Sequence, residues 1–154
     1  MAVFRKIHVA MQANNPHHEA MTNPYIFELS MEVRDYECDL QGIVNNAVYQ
    51  NYFEHTRHKF LASKGISFAD LHQRGIDAVV VKVEISFKQY LLPHTSFVSK
   101  LYLTKEGARY LFFQALYSPD GKTLYASART ETVTLIKGKI GFTPELDKLV
   151  DDAG

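Results

Sequence analysis

Asp39-Leu40-Gln41-Gly42-Ile43-Val44-Asn45-Asn46-Ala47-Val48-Tyr49 decides how this chain folds, because it takes a turn directly into a helix. Gly42 supplies backbone freedom in the turn, and Asn45 or Asn46 is a good N-cap. Tyr49, Tyr52, Phe53, Thr56 and Phe60 then recur at helical offsets, and Lys64-Gly65 ends the pattern with a cation and a glycine. The spacing predicts a helix from Asn45 or Asn46 to about Ser63 or Lys64. Its apolar stripe is broad and aromatic, more than one neighbouring helix would cover, so a curved sheet is the expected partner.

Outward from the helix the chain reads as strands. Between Tyr25 and Asp35, Phe27, Leu29, Met31 and Val33 alternate with mostly polar residues, the period of a half-buried strand. After a short helical turn over residues 68–72, strands are expected at 76–87, 96–105, 109–118 and 123–136, all rich in Val, Ile, Thr, Phe and Tyr. Glu106-Gly107 and Pro119-Asp120-Gly121 have tight-turn chemistry and make consecutive strands antiparallel. One strand, one long helix and four strands give an α+β class with a single buried helix. Residues 1–24 are rich in turn formers and read as a poorly ordered extension, with Met21 or Met31 as alternative starts; 138–154 reads as a loosely packed acidic tail.

Composition narrows the function. The 154 residues suit one domain, and 46% hydrophobic with 22% charged residues is a globular balance. Lys plus Arg equals Asp plus Glu, so no overall field draws nucleic acid, and a polyanionic ligand needs a local group of bases. A lone cysteine, Cys38, excludes an intrachain disulfide and a Cys-rich zinc site and fits a reducing compartment, so a cytoplasmic location is expected. No apolar run approaches the ~20 residues that span a bilayer. No membrane, metal or cofactor is expected.

The turn places Asp39 just ahead of a helix start, where unpaired N–H groups and the helix dipole favour developing negative charge. A thioester carbonyl held there would have its oxyanion stabilised. An aspartate in this position is ordinarily an Asx-turn or capping residue, and local physics does not separate the two readings.

The segment from Asp39 to Tyr49, continuing through Tyr52-Phe53-Glu54-His55-Thr56-Arg57, resembles the signature of the 4-hydroxybenzoyl-CoA thioesterase family, in which a D-x-x-G turn leads into an N-N-x-x-Y helix carrying F-E-x-x-R. Phe87-Lys88-Gln89-Tyr90-Leu91-Leu92-Pro93 resembles the family's turn after its second strand, so residues 25–137 are covered. The resemblance implies a hot-dog fold: a five-stranded antiparallel sheet wrapped around the long helix, with subunits joined edge to edge as a homodimer, or as a homotetramer built from dimers, and sites at the interface. It implies an acyl-CoA substrate, short-chain or aromatic, with Asp39 as nucleophile or general base and the Asn46 backbone N–H polarising the carbonyl. Gly42, Asn45, Tyr49 and Lys88 are the candidate substrate contacts. Ile43 and Asn46 stand where many relatives carry histidine, which leaves Asp39 the only acid-base group expected in its turn. Glu54 and Arg57 are three residues apart, the spacing of an ordinary ion pair, and Lys82, Arg109 and Arg129 are further candidates for CoA phosphates. Cys38 reads as a small buried hydrophobe. A non-catalytic acyl-CoA-binding module is the alternative; a hot-dog hydratase or dehydratase fits less well, because no histidine pairs with Asp39.

Overall fold

The computed structural model describes residues 23–153, so the reading of residues 1–22 as an extension lies outside the described residues. Strand β1 (Phe27–Glu32) leads through a single 3-10 turn (Asp35–Glu37) to the long helix α1 (Asn46–Ser63). A short helix α2 (Phe68–Gln73) and four strands follow: β2 (Ile76–Phe87), β3 (Ser96–Glu106), β4 (Arg109–Tyr117) and β5 (Leu124–Ile136). The sheet runs β1-β3-β4-β5-β2, every pair antiparallel, and curls around α1. This is the hot-dog arrangement.

Alternation sets which side chains meet the helix. Phe97, Ser99, Leu101 and Leu103 of β3 and Tyr110, Phe112, Gln114 and Leu116 of β4 are all buried at every second position. Tyr49, Tyr52, Phe53, Thr56 and Phe60 are the buried face of α1. Two apolar clusters result. One holds Tyr49, Tyr52, Phe53, Leu91, Phe97 and Leu116 near the start of α1. The other holds Phe60, Leu61, Leu101, Tyr110 and Phe112 near its end.

A polar seam divides them. The Gln114 amide donates to the Phe53 carbonyl at 2.9 Å, and the Thr56 hydroxyl bonds the Tyr52 carbonyl at 2.8 Å and the Ser99 hydroxyl at 2.7 Å. Arg57 Nη1 donates to Gln114 Oε1 at 3.1 Å and to Thr130 Oγ1 at 3.3 Å. Arg57 therefore turns inward and is not the partner of Glu54, which lies 3.8 Å from His58. The ion-pair reading of Glu54 and Arg57 is corrected on this point: the buried amide and hydroxyl acceptors of the sheet capture the guanidinium, whose pKa burial lowers.

The tail is also corrected. A short strand β6 (Lys139–Gly141) pairs with β5, adding a sixth strand to the expected five, and helix α3 (Pro144–Asp151) follows. Leu146 and Leu149 of α3 are buried in the second apolar cluster, and Asp147 accepts bonds from Lys105 and from the Tyr110 hydroxyl at 2.5 Å each. Pro144 fits the first turn, where its missing N–H costs nothing. Three apolar residues in eight do not outweigh four charges in a sequence reading, yet they suffice to cover one end of the core. No helix among the described residues is long and apolar enough to cross a membrane. We expect Leu149→Ala to lower the unfolding free energy by about 2–5 kcal/mol, the usual range for removing a buried leucine, measured by urea denaturation; a packed tail requires that loss.

Candidate functional site

The segment between the 3-10 turn and α1 is fastened at both ends. Cys38 and Val44 form an isolated antiparallel bridge, and the Asp39 N–H donates to the Ile43 carbonyl at 2.9 Å. Gly42 N–H closes onto the Asp39 carbonyl at 3.0 Å with φ of 76°, a left-handed conformation that a side chain would strain. The Asn45 N–H bonds the Glu37 carbonyl, and the Val44 N–H bonds the Leu91 carbonyl, which joins the turn to the loop after β2.

Asp39 is exposed at the tip, and its Oδ1 accepts the Gln41 N–H at 2.8 Å. This is an Asx turn, and it leaves Oδ2 without a hydrogen bond among the described residues. Asn45 is the N-cap: its side chain accepts from the Ala47 N–H at 2.9 Å, while its carbonyl takes the Val48 N–H. Asn46 is the first helical residue, and its N–H makes no bond among the described residues, so an open donor remains at the positive end of α1. Asp39, Gly42 and Asn45 thus occupy one short surface loop that leads directly into Asn46 at the start of α1.

The other expected contacts fall differently. Tyr49 is 3% exposed and packs edge-on against Phe87 at 5.0 Å, so within this chain it is a core residue; burial raises its pKa. Lys88 is exposed at the end of β2, with its N–H on the Tyr125 carbonyl. It forms no ion pair among the described residues, whereas Lys82 pairs with Glu84, Arg109 with Glu131, and Arg129 with both carboxylates. Lys88 is therefore the base of the four left open to an external phosphate. The Cys38 thiol has a raised pKa, chiefly from burial and then from the Asp39 charge, which disfavours the nucleophilic thiolate. No group of three metal-ligating side chains occurs among the described residues.

Glu37 is the residue that sequence reading missed. It is 8% exposed; Oε2 accepts the Tyr52 hydroxyl at 2.6 Å and the Arg34 N–H at 2.9 Å, and Oε1 lies 2.9 Å from the Arg34 guanidinium. Through Tyr52, fifteen residues on, it pins the Asp39 turn to the second turn of α1. Burial and then the Glu37 carboxylate drive the Tyr52 pKa upward, so the phenol stays a donor. The only local signal is a tyrosine in the helix facing a carboxylate in the preceding loop, a pairing invisible until the fold joins them.

The thioesterase-like superfamily matches residues 33–150. The chain is 37% identical over 86 residues to a chloroplastic acyl-acyl carrier protein thioesterase of Arabidopsis thaliana, a match covering 56% of this chain and 45% of that protein. It spans less than half the length of that relative and of a second such Arabidopsis thioesterase. Among solved structures, a hypothetical protein of Aquifex aeolicus superposes with a TM-score of 0.75 at 28% identity, covering 80% of this chain and 98% of that one. A 1,4-dihydroxy-2-naphthoyl-CoA thioesterase of Synechocystis shares the fold with a TM-score of 0.77 at 18% identity, covering 82% and 96% of the two chains.

Tyr52→Phe leaves the buried Glu37 carboxylate short of a donor. We expect a stability loss of about 1–3 kcal/mol in urea denaturation, and no measurable loss would mean that Glu37 does not fasten the turn.

Proposed function

The chain belongs to the thioesterase-like superfamily, and from that premise we propose that it hydrolyses an acyl-CoA thioester in the cytoplasm, with Asp39 as the reacting carboxylate. The observation that carries this reading is the pairing, in one fastened loop, of a carboxylate whose Oδ2 is free with the open N–H of Asn46 at the start of α1. The thioester carbonyl sits on that N–H and becomes more electrophilic. Oδ2 then adds to the acyl carbon, expelling CoA thiolate and leaving a mixed anhydride that water cleaves; or it takes a proton from water as that water adds to the carbon. Gly42 lets the thioester approach the backbone, Asn45 holds the helix start in shape, and Lys88 meets a CoA phosphate. Acyl carrier protein presents its thioester on the same pantetheine arm, so Asp39 chemistry applies to either carrier; the unpaired Lys88 favours CoA.

The Asx turn supports a second reading, a non-catalytic acyl-CoA-binding module in which Asp39 only shapes the loop. Release of thiol from acetyl-, hexanoyl- or benzoyl-CoA, followed with a thiol reagent, separates the two. We expect Asp39→Asn to lower kcat by about 10²–10⁴-fold with the circular dichroism spectrum unchanged, since the amide still accepts the Gln41 N–H but neither attacks nor takes a proton. Binding of the esters without thiol release would favour the module. Single turnover in heavy-oxygen water decides the mechanism, because attack carries the label into the Asp39 carboxylate.

The free edge of β2 supports the expected homodimer, or a homotetramer built from such dimers. This twelve-residue edge exposes Val79, Val80, Val81 and Val83, and one side of its backbone ladder has no partner among the described residues. Antiparallel pairing of two β2 edges covers it and brings the Lys88 end of one protomer towards the Ile76 end of the other. Light scattering is expected to give two or four chain masses, and Val81→Lys is expected to shift the mass towards one chain by setting like charges across the pair.

A further inference from the structure

Helix α1 packs on β1 and β3, and cavities open between it and β2. Beside its second and third turns, Gln50, Asn51 and Phe53 face Val80 and Val83 across a cavity of about 240 Å³. This cavity adjoins a larger one of about 510 Å³, with Glu54, Arg57 and Val80 lining both, and we treat the pair as one groove. The floor of the larger part is Leu61, Phe68, Ile76, Ala78, Phe112 and Leu146. The Glu54, His58 and Asp77 side chains sit at the rim, each about half exposed, while the inward-turned Arg57 guanidinium lies at the junction of the two cavities and is bonded to Gln114 and Thr130. An apolar floor below a polar rim suits an aliphatic ligand whose length lies along the groove.

The groove's direction ties it to the candidate site. Asn46, Gln50, Glu54, His58 or Arg57, and Leu61 follow one another at helical steps, so one stripe of α1 leads from the open N–H into the deep end. At 1.5 Å per residue, Glu54 lies about 12 Å and Leu61 about 22 Å beyond Asn46. With C–C bonds of ~1.5 Å, an extended chain advances about 1.3 Å per carbon, so roughly ten carbons reach the large cavity and about sixteen fill it. A benzoyl or hexanoyl group stops short.

On the reading of Asp39 and Asn46 as a thioesterase site, the geometry points to a linear acyl chain of about 10–16 carbons, laid between α1 and β2 with its tail at Ala78, as the acyl group this site selects. Short and aromatic thioesters are secondary substrates, because they leave the deep apolar floor empty.

Two measurements on the full chain test this. Hydrolysis of hexanoyl-, dodecanoyl-, hexadecanoyl- and benzoyl-CoA is expected to favour dodecanoyl-CoA over hexanoyl- and benzoyl-CoA by more than about tenfold in kcat/KM, and Ala78→Phe is expected to remove that preference by blocking the deep end. Ala69→Trp, on the exposed side of α2 at the same cavity, gives the same readout if Ala78→Phe does not fold. Calorimetric titration with dodecanoate, hexanoate and benzoate is the second measurement. Tighter dodecanoate binding that Ala78→Phe abolishes upholds the groove even if no ester is cleaved, in which case only the thioesterase reading fails. Equal or tighter binding of hexanoate or benzoate, or a blocking substitution that weakens all three alike, overturns the groove whatever the hydrolysis shows.

Discussion

The rest of this molecule depends on how α1 is seated in the sheet. Apolar contact alone is non-directional and would let an aromatic helix slide or rotate at little cost. The seam formed by Gln114, Thr56, Ser99, Arg57 and Thr130 removes that freedom, because each buried polar group finds its partner only at one axial position. That position sets where the helix begins, and hence where the Asp39 loop must end. It also sets the gap towards β2.

Much of this was legible in the chain itself. The strand periods and the aromatic stripe from Tyr49 to Phe60 predict helix and sheet almost to the residue, because both are local patterns enforced by burial. The turn at Asp39 was legible as a turn for the same reason: Gly42 and Asn45 have few other uses in that order. What was not legible depends on partners distant in sequence. Gln114 looks like an interruption in an apolar strand, yet it is buried and bonded to a helix carbonyl. Arg57 has a carboxylate three residues away and chooses the sheet. Glu37 has no local pattern to mark it as buried and is enclosed. Leu146 and Leu149 sit among charges and still close the core.

In the Asp39 loop a structural role leaves room for the chemical role proposed above. Its Asx bond uses one carboxylate oxygen and holds the group in a single orientation, so the other oxygen is presented without further ordering. Backbone bonds to Glu37, Ile43 and Leu91, and the Glu37 bond to Tyr52, mean that the loop cannot drift from the helix start without breaking several buried interactions at once. Preorganisation of this kind lowers the reorganisation needed when charge develops at a bound carbonyl.

Among the described residues the two open margins of the sheet are unequal. β1 is six residues long and carries Glu28 and Glu32, whereas β2 is twelve residues long, valine-rich and bulged between Val80 and Lys82. Joining a long margin to a short one, head to tail, would leave half of each β2 ladder unmatched and would propagate without end as a fibre. Joining like to like consumes the long margin and exposes only short, acidic ones. In any edge-to-edge association, the inequality between the two margins would act as a stop signal, favouring a finite particle over filament growth.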